Sequence, residues 1–128
     1  MRLVAGEPAT YTLRGQQFEL AGPCYECEAT GERFVTDEQD HALHEQLHQR
    51  WRTRNGLAKE ALRERRKALG MKKKEVAALL GLGKRRYHRY EATDRLPSLT
   101  HARLLALLLS EPGLVALREA ATRLAPPE

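Results

Sequence analysis

The side chains best placed for chemistry form a dense cationic segment at residues 84–90. Five of its seven positions are cationic or polar: Lys84, Arg85, Arg86, His88 and Arg89. On a helix, Arg85 and Arg89 are four residues apart and share a face, from which both guanidinium groups can donate to guanine edges. Tyr87 and Tyr90, three apart, can share the inward face. The segment therefore predicts a helix that reads DNA bases through Arg85 and Arg89.

A second cationic group, Lys72, Lys73 and Lys74, opens the segment before it. Free N–H groups and the positive dipole at a helix start favour phosphate, so we expect these lysines to contact the DNA backbone. Residues 72–80 are predicted to be a helix with Val76, Ala77 and Leu80 facing inward, followed by a glycine turn at 81–83. Two short helices joined by a tight turn are typical of a helix-turn-helix.

The charge distribution supports a polyanionic partner for this part of the chain. Residues 50–90 contain fifteen Lys or Arg and three Asp or Glu, a net charge of +12. Residues 1–49 carry a net charge of −6, and residues 91–128 carry −1. The middle segment attracts polyanions, whereas the N-terminal segment is repelled by them. We therefore expect two functions on one chain.

Cys24 and Cys27 are the only cysteines of the chain and have C-x-x-C spacing. In a reducing compartment this spacing favours a metal half-site or a redox pair over a structural disulfide. The N-terminus lacks the pattern of a secretory signal and no stretch of eighteen apolar residues occurs, so we expect a cytoplasmic protein without membrane contact.

The N-terminal third is predicted to be a thin β element followed by a helix. Residues 10–20 alternate around Gly15 as in a hairpin, Gly22-Pro23 breaks it, the C-x-x-C forms a turn, and residues 33–35 add a strand. Thr36 and Gln39 form a capping box for a helix that stops near Asn55-Gly56. We therefore place a domain boundary there, with one domain over residues 1–55 and another over 56–128.

The second domain is predicted to be entirely helical. Its first helix starts at about residue 57 and is ended by Gly70, and the two helices described above follow. Pro97 and Ser98 start a fourth helix, and residues 110–112 start a fifth that ends before Pro126-Pro127. The expected fold is mainly α, with a small N-terminal β element and a five-helix helix-turn-helix domain.

The segment LGMKKKEVAALLGLGKRRYHRYE, residues 69–91, resembles the helix-turn-helix of Xre/Cro-type repressors, and Arg66 and Glu91 match the buried ion pair usual there. Together with TYTLRG, the C-x-x-C and LLALLLSEPGL, it makes the chain similar to MqsA-type antitoxins over roughly residues 9–119. The resemblance implies a zinc-binding, toxin-holding domain joined to a DNA-binding domain. It also implies that Arg85 and Arg89 read bases. The family has an amide side chain at the position of Arg85, so the resemblance implies an operator of different sequence.

The N-terminus departs from that family, because MRLVAGEP stands where a first C-x-x-C is expected. Four thiolates therefore cannot meet within one chain, although structural zinc requires four ligands. One interpretation is a metal-free turn. The alternatives are a site completed by histidines from the set His41, His44 and His48, or cysteines pooled by two chains. We expect no cofactor, with zinc at Cys24 and Cys27 as the open alternative.

The sequence thus favours an antitoxin that represses its own promoter, binding a palindromic operator in double-stranded DNA as a homodimer and a toxin through residues 1–55. Apolar positions in LLALLL cover more than one helix face, which fits a helix shared between the core and a dimer interface. The alternative is a stand-alone Xre-type regulator that senses a metal, an oxidant or a protein. An enzyme is not expected, because no carboxylate is placed to act beside a metal and the C-x-x-C lacks a βαβ setting.

Overall fold

The computed structural model describes residues 1–125, in which five short strands precede six helices. The strands are β1 (Arg2–Ala5), β2 (Ala9–Leu13), β3 (Gln16–Leu20), β4 (Pro23–Glu26) and β5 (Arg33–Phe34). The helices are α1 (Asp37–Arg54), α2 (Lys59–Ala68), α3 (Lys73–Leu80), α4 (Lys84–Ala92), α5 (Leu99–Leu109) and α6 (Glu111–Arg123). The chain is mainly α with small N-terminal sheets, as predicted. None of the helices described is long and apolar enough to cross a membrane.

The chain divides into two compact units, Met1–Trp51 and Arg52–Glu128. This division falls within α1, whose last three residues belong to the second unit, and lies four residues before the boundary that the sequence suggests. The predicted stop at Pro126-Pro127 lies outside the described residues.

The first unit contains a hairpin and a three-stranded sheet. The hairpin pairs β2 with β3, which confirms the strands expected over residues 10–20. Its turn places Arg14 and Gly15 at positive φ, and glycine adopts such angles without a steric penalty. The buried apolar side chains of this unit are Phe18, Leu20, Cys24, Leu47 and Trp51. Strands β3 and β4 and helix α1 therefore supply its core.

The turn predicted at the C-x-x-C is wrong, because most of this segment is the central strand of the sheet. Residues 23–26 form β4, which pairs with β1 on one side and β5 on the other. The unforeseen β1 satisfies the backbone groups of β4 along one edge. Arg2 adds hydrogen bonds of 3.0 and 3.1 Å to a carboxylate oxygen of Glu26. Pro23 is the first residue of β4, a position where its missing N–H is tolerated.

Helix α1 begins with the predicted capping box. The backbone N–H of Gln39 donates to the Thr36 hydroxyl at 3.2 Å, and the Thr36 N–H donates to the Gln39 side-chain oxygen at 2.9 Å. The pair satisfies two donors that would otherwise lack partners at the helix start. The helix ends at Arg54, and Gly56 follows at a φ of 73°, as the Asn-Gly pair predicts.

The second unit contains α2 to α6, the five helices expected from the sequence. Ser98 caps α5 by accepting the N–H of His101, and Ser110 caps α6 by accepting the N–H of Gly113. Gly70, at a φ of 68°, follows the C-cap of α2 as predicted. Every helix contributes to a single apolar core, whose buried members are Leu57, Leu62, Val76, Ala77, Leu80, Tyr87, Tyr90, Ala102, Leu105, Leu108, Leu114 and Leu117.

Candidate nucleic-acid interface

Helices α3 and α4 are joined by a three-residue turn at 81–83. Gly81 ends α3 in the left-handed conformation at a φ of 72°, where a residue with a Cβ atom would be strained. The Leu82 N–H then donates to the Ala77 carbonyl at 2.9 Å, which satisfies a carbonyl left free at the helix end. Gly83, with an extended backbone, starts α4. The turn therefore fixes how one helix follows the other.

The inner face of α4 is anchored in the core of the second unit. Tyr87 and Tyr90 are buried, as predicted, and Glu91 is 1% exposed. Both carboxylate oxygens of Glu91 accept from Nε of Arg66, at 2.9 and 3.1 Å, which confirms the expected ion pair between α2 and α4. Burial, together with the neighbouring Glu91, raises the pKa of Tyr87. These contacts determine which face of α4 remains outside.

The C-terminal end of α4 is held by Arg52, a residue that the sequence reasoning missed. Its guanidinium group donates to the Tyr90 carbonyl at 2.6 Å, the Thr93 carbonyl at 2.7 Å and the Leu57 carbonyl at 3.0 Å. Arg52 is 1% exposed, and this burial lowers the pKa of its guanidinium group. A single cation thus satisfies carbonyl groups at the end of α4 and before α2. Its position near the end of the predicted first helix, among several other cations, gave no signal of this role.

The outer face of α4 presents all five cationic and polar side chains that the sequence singled out. Lys84, Arg85, Arg86, His88 and Arg89 are exposed. Within residues 1–125, none of the five forms an ion pair with a carboxylate. Their charges are therefore available to a ligand, and α4 carries no acidic residue in its first turn.

One of the three lysines at the start of α3, Lys73, contacts the outer face of α4. Nζ of Lys73 is 3.0 Å from Nδ1 of His88. Lys72 precedes the helix, where its N–H donates to the Glu75 side chain at 3.0 Å, and the side chains of Lys72 and Lys74 are exposed. The contact between Lys73 and His88 thus joins the two predicted cationic groups.

A hollow of about 380 Å³ lies beside α4. It is lined by turn residues 81–83, by Arg85, Arg86 and Arg89, and by His101 from the first turn of α5. The sequence reasoning did not single out His101. Its place three residues after Ser98 indicated that it lies in the first turn of a helix. Its proximity to the arginines depends on the packing of α5 and had no signal in the sequence.

The two cysteines have different environments. Cys24 is buried in β4, opposite Val4 of β1. Cys27 is partly exposed at the end of that strand, and hydrogen bonds from the Thr30 side chain and from the backbone of Thr30 and Ala29 lower the pKa of its thiol. The thiol groups are free rather than joined in a disulfide.

The histidines predicted as alternative ligands do not complete a metal site with these cysteines. Nε2 of His41 lies 3.1 Å from the Glu45 carboxylate, and burial and neighbouring charges lower the pKa of His48. Across residues 1–125, no group of three or more His, Cys, Asp or Glu side chains is placed to hold a metal ion. This arrangement gives no support to the two-Cys, two-His alternative, and both that site and cysteines pooled by two chains stay predictions.

The chain is an antitoxin, a class of protein that the comparison with known families identifies. Residues 4–119 match the family described as the antitoxin component of a bacterial toxin-antitoxin system, MqsA. The match covers most of the chain, and the chain belongs to the MqsA antitoxin family, as its resemblance predicted. An antitoxin of this family is not an enzyme, and it has a cognate toxin as its partner. Searches of curated proteins and of solved structures gave no match.

Proposed function

We propose that α3 and α4 form a helix-turn-helix with which this antitoxin binds double-stranded DNA and represses transcription. The observation that carries the proposal is the division of α4 into two faces. Its tyrosines and Glu91 are buried, whereas five cationic or polar side chains face outward without carboxylate partners among residues 1–125. A solvated surface helix does not require an uninterrupted cationic face of this kind.

The dimensions of α4 suit a DNA groove. An α-helix with its side chains is about 10–12 Å in diameter, which fits the major groove of about 12 Å width, and the nine residues of α4 are long enough to place roughly 13 Å of helix in it. Arg85 and Arg89, one turn apart and both exposed, are proposed to donate to base edges. His88 and the remaining cations are proposed to contact phosphates. Such contacts fix the position of the protein on the duplex but carry no sequence information. The remaining cations are Lys72, Lys73, Lys74, Lys84 and Arg86.

Binding to DNA is expected to weaken steeply with salt. A protein that neutralises phosphates releases counterions from the DNA, and added salt opposes this release. A protein with six to ten phosphate contacts therefore loses about 10³- to 10⁵-fold in affinity when the salt concentration is raised from 50 to 200 mM. The measurement is a mobility-shift titration of the full chain at four salt concentrations, using a duplex selected by the chain from a random pool. An affinity that does not change with salt would contradict the proposal.

The operator is proposed to be palindromic and bound by a dimer. Several apolar side chains of α5 and α6 remain exposed, namely Leu99, Leu107 and Val115. Two-fold dimers are the commonest oligomers, and they match half-sites about one helical turn apart. Sedimentation at micromolar concentration is expected to show a dimer, and Leu107→Lys to shift it towards monomer. Arg118→Ala, an exposed change on α6, is the control. A monomeric wild-type chain would count against this arrangement.

The first unit is proposed to bind the toxin through its three-stranded sheet. Leu3, Tyr25 and Phe34 are paired in register across β1, β4 and β5, so they form one row on one face of the sheet. Leu3 is 63% exposed and Phe34 is 42% exposed, and the Tyr25 and Phe34 rings are 5.8 Å apart. An exposed apolar row on a unit of negative charge fits a basic protein with an apolar contact patch.

Replacing Phe34 by Asp is expected to weaken toxin binding at least about tenfold, because a charge would be buried in the contact. Thr10→Asp, an exposed change in the separate hairpin, is the matched control. The measurement is co-purification of the full chain with its cognate toxin, followed by calorimetric titration. Equal affinity of both variants would rule out this face.

A further inference from the structure

The hollow beside α4 has the composition of an oxyanion site. Three of its lining side chains are arginines, one is a histidine, and none of the lining residues is acidic. Guanidinium groups bind phosphate through paired, charge-assisted hydrogen bonds. Arg85 and Arg89 line the hollow on one side, so a ligand bound there would lie next to the bases that these two arginines are proposed to read.

His101 is oriented by Tyr90. The Tyr90 hydroxyl lies 2.8 Å from Nδ1 of His101, and the two rings meet edge to face with centroids 5.9 Å apart. Tyr90 is buried and rigidly placed, whereas His101 is half-buried and lines the hollow. Because Nδ1 is occupied, Nε2 is the ring nitrogen left for a ligand. When the tyrosine hydroxyl donates to Nδ1, Nε2 carries the hydrogen and is a donor.

The position of His101 on α5 also favours an anion. It is the third residue of an eleven-residue helix, and its N–H donates to the capping hydroxyl of Ser98 at 3.2 Å. The first turn of a helix has a positive electrostatic potential. This contribution adds to that of the arginines, which come from a different helix.

We propose that His101, oriented by Tyr90, binds a backbone phosphate of the duplex through Nε2, together with Arg86 of the hollow. The inference rests on the proposed DNA-binding function and adds a contact from outside the helix-turn-helix. A phosphate there would set how deeply α4 enters the groove, because the contact comes from α5 and its position is fixed by the core. His101 is thus a positioning residue for base reading by Arg85 and Arg89.

The test uses the full chain, a duplex selected from a random pool, and a random duplex of equal length. His101→Ala is expected to weaken binding to both duplexes about tenfold, because a phosphate contact does not depend on sequence. His101→Gln, which keeps a donor near the position of Nε2, is expected to recover most of the affinity. Arg103→Ala, an exposed neighbour on α5 outside the hollow, should change affinity by less than about twofold.

Single neutral methylphosphonate linkages separate a phosphate contact from a structural effect. One such linkage is expected to weaken the wild type about tenfold but to cause no further loss in His101→Ala. Tyr90→Phe removes the hydroxyl that orients the imidazole, and its effect should likewise disappear in the His101→Ala background.

If every methylphosphonate weakens the wild type and His101→Ala equally, the inference is overturned while DNA binding stands. If the wild type binds no duplex at all, the proposed function fails as well. A titration with inorganic phosphate, followed by the His101 ring signals in NMR spectra, tests the remaining alternative. If phosphate shifts these signals and no methylphosphonate distinguishes the wild type from His101→Ala, the hollow binds free anions. The assignment to a DNA phosphate is then wrong.

Discussion

Replacing Arg89 by alanine is expected to weaken binding to the selected duplex by about 10- to 100-fold. Binding to a random duplex is expected to weaken much less. A bidentate contact to a base is worth roughly 1–3 kcal/mol of discrimination, and this term is absent on a sequence without the matching base. Arg85→Ala should act in the same way at a different base position. The measurement is the ratio of the two dissociation constants at one fixed salt concentration.

Lys74→Ala is the matched control, because it also removes one exposed positive charge. A phosphate contact is sequence-independent, so this variant should weaken both duplexes equally and reduce the salt slope by about one. Arg89 forms no ion pair within residues 1–125 and points outward, so its loss should change stability by less than about 0.5 kcal/mol. If Arg89→Ala and Lys74→Ala affected the two duplexes identically, Arg89 would be a backbone contact and not a reader of bases.

The elements of the interface could be predicted because their signals are local. Val76, Ala77 and Leu80 recur at helical spacing, and Gly81 provides the left-handed residue that ends α3. Tyr87 and Tyr90 divide α4 into two faces by their spacing alone. For these reasons the positions of α3 and α4, and the exposure of their cations, agree with the structure.

Most of the contacts that escaped prediction join residues far apart in the sequence. Strand β1 pairs with β4, whose partner residues lie 18 to 24 positions further along the chain, and this pairing converts an expected turn into a central strand. Arg52 donates to carbonyl groups up to 43 residues away, although in the sequence it is one of several cations near a breaker. His101 reaches the hollow because its ring contacts Tyr90 of α4, a contact that the fold of the five helices makes possible. Periodicity reveals which face of an element is buried, but not which element covers it.

Removing the buried carboxylate that holds α4 should have the largest effect on stability. Glu91 is 1% exposed and pairs with Arg66, whose side chain is only 15% exposed. Glu91→Ala leaves that guanidinium group without its partner in a poorly solvated position and also creates a cavity. Breaking a buried pair in this way costs about 3–5 kcal/mol. The measurement is the free energy of unfolding from urea titration, monitored by circular dichroism.

Glu60→Ala is the control, because Glu60 pairs with Arg63 at 3.6 Å on the surface of α2 and both side chains are well exposed. An exposed pair is worth less than about 1 kcal/mol, so this variant should unfold almost as the wild type does. The double variant Arg66→Met, Glu91→Leu removes both charges and is expected to be more stable than Glu91→Ala alone. Equal losses for Glu60→Ala and Glu91→Ala would show that the pair does not hold α4. In that case the orientation of the cationic face would depend on the buried tyrosines and Arg52 instead.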